Sequence, residues 1–99
     1  MSEIQKVARK VLKDESEGIE LLKDFFDDNF SSAVNKIIKI KGKVIVTGVG
    51  KSGHIGKKIS ATLSSTGTPS YFVHPTEASH GDMGMVGNED IIFAISWSG

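Results

Sequence analysis

Apolar residues recur at helical spacing through the first forty positions. Ile4, Val7, Ala8, Val11 and Leu12 form one stripe with Lys, Arg and Gln between them, the pattern of an amphipathic helix. Ile19, Leu22, Phe25, Phe26 and Phe30 form a second stripe, and Gly18 between them marks a kink or a weak spot. Asn29, Ser31 and Ser32 read as a break and N-cap before the apolar face of Ala33, Val34, Ile37 and Ile38. Residues 1–41 are therefore expected to form a helical arm. Its helices pack as a hairpin on the rest of the domain, or the long first helix packs on another subunit, because a core this small leaves apolar faces needing a partner.

The period changes at residue 42. Val44-Ile45-Val46-Thr47 is a short β-branched run that ends at Gly48, as in a strand buried on both faces of a parallel sheet. Residues 53–65 read as a helix with Ile55, Ile59, Thr62 and Leu63 on its buried side, and Gly67-Thr68-Pro69 ends it. Residues 70–73 and 90–96 read as further strands, with a loop-rich or partly helical crossover over 75–86. Strand, helix, strand, crossover, strand predicts βαβ units and an α/β sheet. Ligands of such sheets bind beyond the C-terminal strand ends, which directs attention to residues 48–53, 74–84 and 96–99.

Composition narrows the field. Twelve Lys and Arg balance twelve Asp and Glu among the 99 residues, so no basic surface recommends a nucleic-acid partner. The absence of Cys excludes a disulfide scaffold, thiolate zinc sites and a Cys nucleophile, and suits a reducing compartment. No apolar run approaches the roughly 20 residues of a membrane span, and the charged first fifteen residues have no apolar segment of a secretory signal. The expectation is a cytoplasmic protein without a membrane partner. The glycines are uneven: of 11, all but Gly18 lie from Gly42 onward.

Gly48-Val49-Gly50-Lys51-Ser52-Gly53 follows the first strand and opens a helix. Backbone N–H groups in such a turn, with the helix dipole, make an anion site. Gly50-Lys51-Ser52 supplies the end of a P-loop, but the pattern needs Gly where Ile45 stands. Gly48, Gly50 and Gly53 fit the dinucleotide fingerprint, yet no acidic residue closes the second strand to hold a ribose. A phosphosugar site needs only the anion cradle, with Lys51 and Ser52 as ligand groups. A tight turn with an exposed Lys and no ligand also satisfies the spacing.

His74 and His80 lie within seven positions of each other, just past a strand end and beside Glu77 and Asp82. Histidine moves protons near neutral pH or binds metal, and the carboxylates could orient either ring or act as acid–base groups. The spacing matches no strong metal motif. His54 is structural or near the ligand, and Met83 and Met85 fill gaps. Ser96 and Ser98, with Gly99, offer hydroxyl and backbone donors after a parallel strand.

Together these residues resemble the sugar isomerase (SIS) domain, and within it the D-arabinose 5-phosphate isomerases, which feed Kdo synthesis for bacterial lipopolysaccharide and capsule. The resemblance runs through VIVTGVGKSGHIGKK (44–58), STGTPSYFVHPTEASHGDMGM (65–85), and Ile95-Ser96 with Ser98-Gly99. It implies interconversion of D-arabinose 5-phosphate and D-ribulose 5-phosphate through an enediol, in which a base moves a proton between C2 and C1 and the developing oxyanion needs a donor or cation.

By motif position, the resemblance implies Lys51 as the catalytic lysine and His80 as the active-site histidine. Gly67 and Thr68 would line the sugar site, Gly50 would bind substrate as well, and Ser52, Ser96 and Ser98 would hold the phosphate. His74 would touch substrate and be where inhibitory zinc binds. No cofactor is implied. The implied fold is N-terminal helices followed by the first three strands of a parallel, Rossmann-like α/β sandwich, over 42–99. The family forms tetramers with active sites built from more than one subunit. Its members continue past the position of Gly99 with a Glu after the Ser-Gly pair, a later His and often a regulatory CBS pair, so this stretch is expected to be the front part of a larger fold. A non-catalytic phosphosugar-binding SIS module is the alternative. At Trp97 the family usually has a smaller or polar residue.

Overall fold

The first helix, α1, spans Glu3–Leu21. Ser2 starts it with a reciprocal cap: its hydroxyl accepts from the Gln5 N–H at 3.2 Å, and Gln5 Oε1 accepts from the Ser2 N–H at 3.0 Å. Lys10 and Asp14 pair at 2.6 Å one turn apart on its surface. The helix runs unbroken through Gly18, whose position nothing crowds. One glycine costs only ~1 kcal/mol of helix propensity, too little to kink a capped helix. A short 3-10 turn covers Leu22–Phe25.

The second helix, α2, spans Asp28–Ile38. Asp27 caps it by accepting from the Phe30 N–H at 3.0 Å. Asn29, Ser31 and Ser32, expected as the break, therefore lie inside the first turns. A carboxylate ahead of them already satisfies the free amide and suits the positive end of the helix. The structure is a computed structural model and describes all 99 residues except the side chains of Asp82 and Met83, so the roles expected of those two lie outside the described residues. Two compact units divide between Asn35 and Lys36. Among the described residues, no helix is long and apolar enough to cross a membrane.

The second unit is built on three parallel strands: β1 (Val44–Thr47), β2 (Ser70–Phe72) and β3 (Ile91–Ala94), in the order β2-β1-β3. Val44 aligns with Ser70 on one side and Ile91 on the other. β1 is central, and Val44, Ile45 and Val46 are no more than 3% exposed. This accounts for its run of β-branched residues without alternation. The helix α3 (Gly50–Ser65) packs on β1 and β2. The crossover from β2 to β3 holds α4 (Pro75–Ser79) and a 3-10 turn over Asp82–Met85. β3 is shorter than the apolar run predicts, although the Ile95 N–H still donates to Thr47 O at 2.9 Å.

Two polar contacts fix the sheet. Asp90 accepts from the Lys43 N–H at 2.8 Å, from Lys43 Nζ at 2.8 Å and from the Gly87 N–H at 2.6 Å, tying the entry of β3 to that of β1. Ser60 on α3 and Ser70 on β2 share a buried hydroxyl–hydroxyl bond of 2.9 Å. With all strands parallel, their C-terminal ends share one edge. That edge carries the Gly48 loop, His74 and Ser96.

Candidate functional site

The turn from β1 into α3 is set by two glycines. Gly50 takes φ +58°, the left-handed region that suits glycine. Gly53 lies so close under the turn that an added Cβ would stand 2.7 Å from the Gly48 carbonyl oxygen. Val49, the residue ahead of α3, gives it no side-chain cap, and its first turn has no acidic residue. The first N–H groups of α3 therefore face the strand-end edge with the positive end of the helix dipole behind them.

Two cavities flank this turn. The larger, about 470 Å³, takes its polar lining from Thr47, Gly48, Ser52, Ser96 and Ser98. Its apolar lining is Val49, Pro75, Ala94, Ile95 and Trp97. The Gly99 N–H donates to Ser96 Oγ at 3.0 Å, curling the segment after β3. Thr47 Oγ1 is buried with no hydrogen-bond partner among the described residues.

The smaller cavity, about 160 Å³, is lined by Gly48, Gly50 and Gly53 with His54, Lys57, Phe72 and His74. Lys57 Nζ sits 5.4 Å above the Phe72 ring, a cation–π contact that holds the ammonium by the cavity. His74 Nδ1 accepts from the Thr76 N–H at 3.1 Å and so caps α4. The neutral ring then carries its proton on Nε2 and presents a donor. Among the described residues, no group of three or more His, Asp or Glu is placed to hold a metal.

The expected site residues thus fall into three sets. Ser52, Ser96 and Ser98 meet at the larger cavity, and Gly50 and His74 at the smaller. Lys51, in the first turn of α3, and His80, at the end of α4, are exposed and line neither of these cavities. Gly67 and Thr68 follow the other end of α3, which at 16 residues is about 24 Å long. Thr68 and Pro69 join the entry side of the sheet, where the Val44 N–H donates to Pro69 O at 2.9 Å.

Lys57, Phe72, Thr47 and Pro75 were not anticipated. Lys57 follows His54 by three residues, which puts both on one helix face, and that spacing is readable. Nothing in the sequence distinguishes Thr47, Phe72 and Pro75 from structural residues.

The SIS domain model matches residues 36–99. The chain belongs to the SIS domain family. It is 53% identical over 97 residues to the arabinose 5-phosphate isomerase KdsD of Yersinia pestis, covering 98% of this chain and 30% of that protein. It is 55% identical over 91 residues to the arabinose 5-phosphate isomerase GutQ of Salmonella typhi, covering 92% of this chain and 28% of that one. A solved structure from E. coli CFT073, in complex with arabinose 5-phosphate, superposes with a TM-score of 0.82 at 40% identity, covering 97% of this chain and 52% of that chain. The chain spans about 30% of the length of the curated relatives it matches. The helices and three-stranded parallel sheet are the SIS fold expected from the motifs.

Proposed function

We propose that this protein binds a small phosphorylated sugar and serves the interconversion of D-arabinose 5-phosphate and D-ribulose 5-phosphate. The observation that carries this reading is the meeting of Ser52, Ser96 and Ser98 beside the uncapped start of α3, in a chain 53% identical to an arabinose 5-phosphate isomerase. Hydroxyls and helix N–H groups suit a phosphate without any net positive surface. Lys51 stabilises the enediolate oxyanion, and His80 assists ring opening or carries protons between carbon and oxygen. His74 donates to the substrate from Nε2, and zinc at this ring is inhibitory. Residues 42–99 are the phosphosugar-binding part and 1–41 the helical arm. The reaction is cytoplasmic and supplies Kdo synthesis.

Gly67 and Thr68 lie a helix length from the glycine turn, so they serve a sugar site only as the contribution of a second copy. This favours a homo-oligomer. The alternative is a phosphosugar-binding module without turnover.

An isomerase assay with arabinose 5-phosphate, run beside calorimetric binding, separates the two. Turnover that Lys51→Ala abolishes while binding persists is the expected result. Saturable binding with no turnover selects the module, and absence of both overturns the phosphosugar reading.

A further inference from the structure

Trp97 is the single tryptophan of the chain and is 99% exposed. It stands between Ser96 and Ser98, and all three line the larger cavity. The same cavity is lined by Pro75 at the start of α4. The cavity lining thus combines hydroxyls with an aromatic ring and a proline.

A phosphorylated sugar has the same division. Its phosphate needs donors, and its carbon chain presents apolar C–H faces beside hydroxyls. We propose that Trp97 is a substrate-binding residue, its indole stacking on the carbon chain of a phosphosugar whose phosphate lies against Ser52, Ser96 and Ser98. The inference rests on the phosphosugar reading above. The aromatic face sets preference for a sugar phosphate over inorganic phosphate, because only the former has carbon to cover the ring. The indole N–H adds one donor for a sugar hydroxyl.

A lone tryptophan makes its own emission the test. Arabinose 5-phosphate, inorganic phosphate and arabinose are titrated into the protein while Trp97 fluorescence is read. Calorimetry follows the same ligands with the parent, Trp97→Ala and Trp97→Phe. Because the indole is exposed, thermal midpoints of both variants should match the parent. The expected result is a saturable emission change with arabinose 5-phosphate. Trp97→Ala should weaken that ligand roughly three- to tenfold, while Trp97→Phe keeps most of the affinity. Affinity for inorganic phosphate should stay within about twofold of the parent in both variants.

Calorimetric binding of arabinose 5-phosphate with unchanged emission, and equal affinity in Trp97→Ala, overturns the inference and leaves the phosphosugar reading standing. Equal losses for arabinose 5-phosphate and inorganic phosphate overturn it too, since loop placement rather than stacking would then be at work. Emission that shifts with protein concentration but not with sugar phosphate assigns the indole to a second copy instead. No calorimetric binding of arabinose 5-phosphate by the parent removes the phosphosugar reading, and the inference with it.

Discussion

Gly53→Ala tests how the glycine turn is built. In an open helix position this change adds ~1 kcal/mol of helix propensity. At Gly53 the new methyl would meet Gly48 O at 2.7 Å and Gly48 C at 3.3 Å, against 3.4 Å for ordinary contact. The contact is backbone, so no side chain can swing away. The first turn of α3 and the Gly48 loop must separate by about 0.7 Å. Overpacking of this kind costs about 1–3 kcal/mol, which outweighs the propensity gain and leaves a net loss of roughly 0–2 kcal/mol. The same displacement stretches any hydrogen bond between the loop and an anion, so affinity for arabinose 5-phosphate should fall about tenfold. Gly18→Ala is the internal control: nothing lies within 4 Å of a Cβ there, and α1 should gain about 0.5–1 kcal/mol. Urea unfolding followed by circular dichroism measures both, with calorimetry for the ligand. If Gly53→Ala gains stability like Gly18→Ala and binds arabinose 5-phosphate as the parent does, the close approach at the turn is not what sets the loop.

Two further outcomes concern the sheet. Asp90 is held down to about 2, first by the hydrogen bond from the Lys43 side chain and then by the Gly87 and Lys43 N–H groups. A depressed carboxyl favours the folded state once ionised, so its contribution is complete above about pH 4 and is lost as pH falls toward about 2. Thermal midpoints against pH should therefore fall less steeply in Asp90→Asn than in the parent through that window, and parallel curves would refute the linkage. Ser60→Ala leaves the Ser70 hydroxyl, in a residue 8% exposed, without its 2.9 Å partner, at a cost of about 1–3 kcal/mol. The double change Ser60→Ala with Ser70→Ala should recover part of that in denaturant unfolding, since no orphaned hydroxyl remains; strictly additive losses would contradict a coupled pair.

The parallel sheet was legible because burial leaves a local mark. Val44 to Val46 are β-branched throughout, as a strand covered on both faces requires, and the order strand, helix, strand admits few topologies. Boundaries were less legible where a cap decides them. Asp27 rather than Asn29, Ser31 or Ser32 starts α2, since a carboxylate ahead of them competes for the same N–H groups. The helix α3 opens at Gly50, not Gly53, because the positive φ at Gly50 lets the chain turn into the helix at once.

The candidate site divides along the same line. Ser52, Ser96 and Ser98 were readable because each follows a strand end, and parallel strands bring such residues to one edge regardless of distance in sequence. Trp97 and Pro75 were visible as residues, but whether they face solvent or a cavity depends on the curl after β3 and the start of α4, which no periodicity encodes. Gly67 and Thr68 mark the limit of reading one chain. Their motif is as plain as that of Gly48–Gly53, yet α3 separates the two by its full length. A helix is a rigid spacer, so within one copy the two motifs stand about a helix length apart. Spacing within a motif is legible in the sequence, while the distance between motifs is set by the element that folds between them.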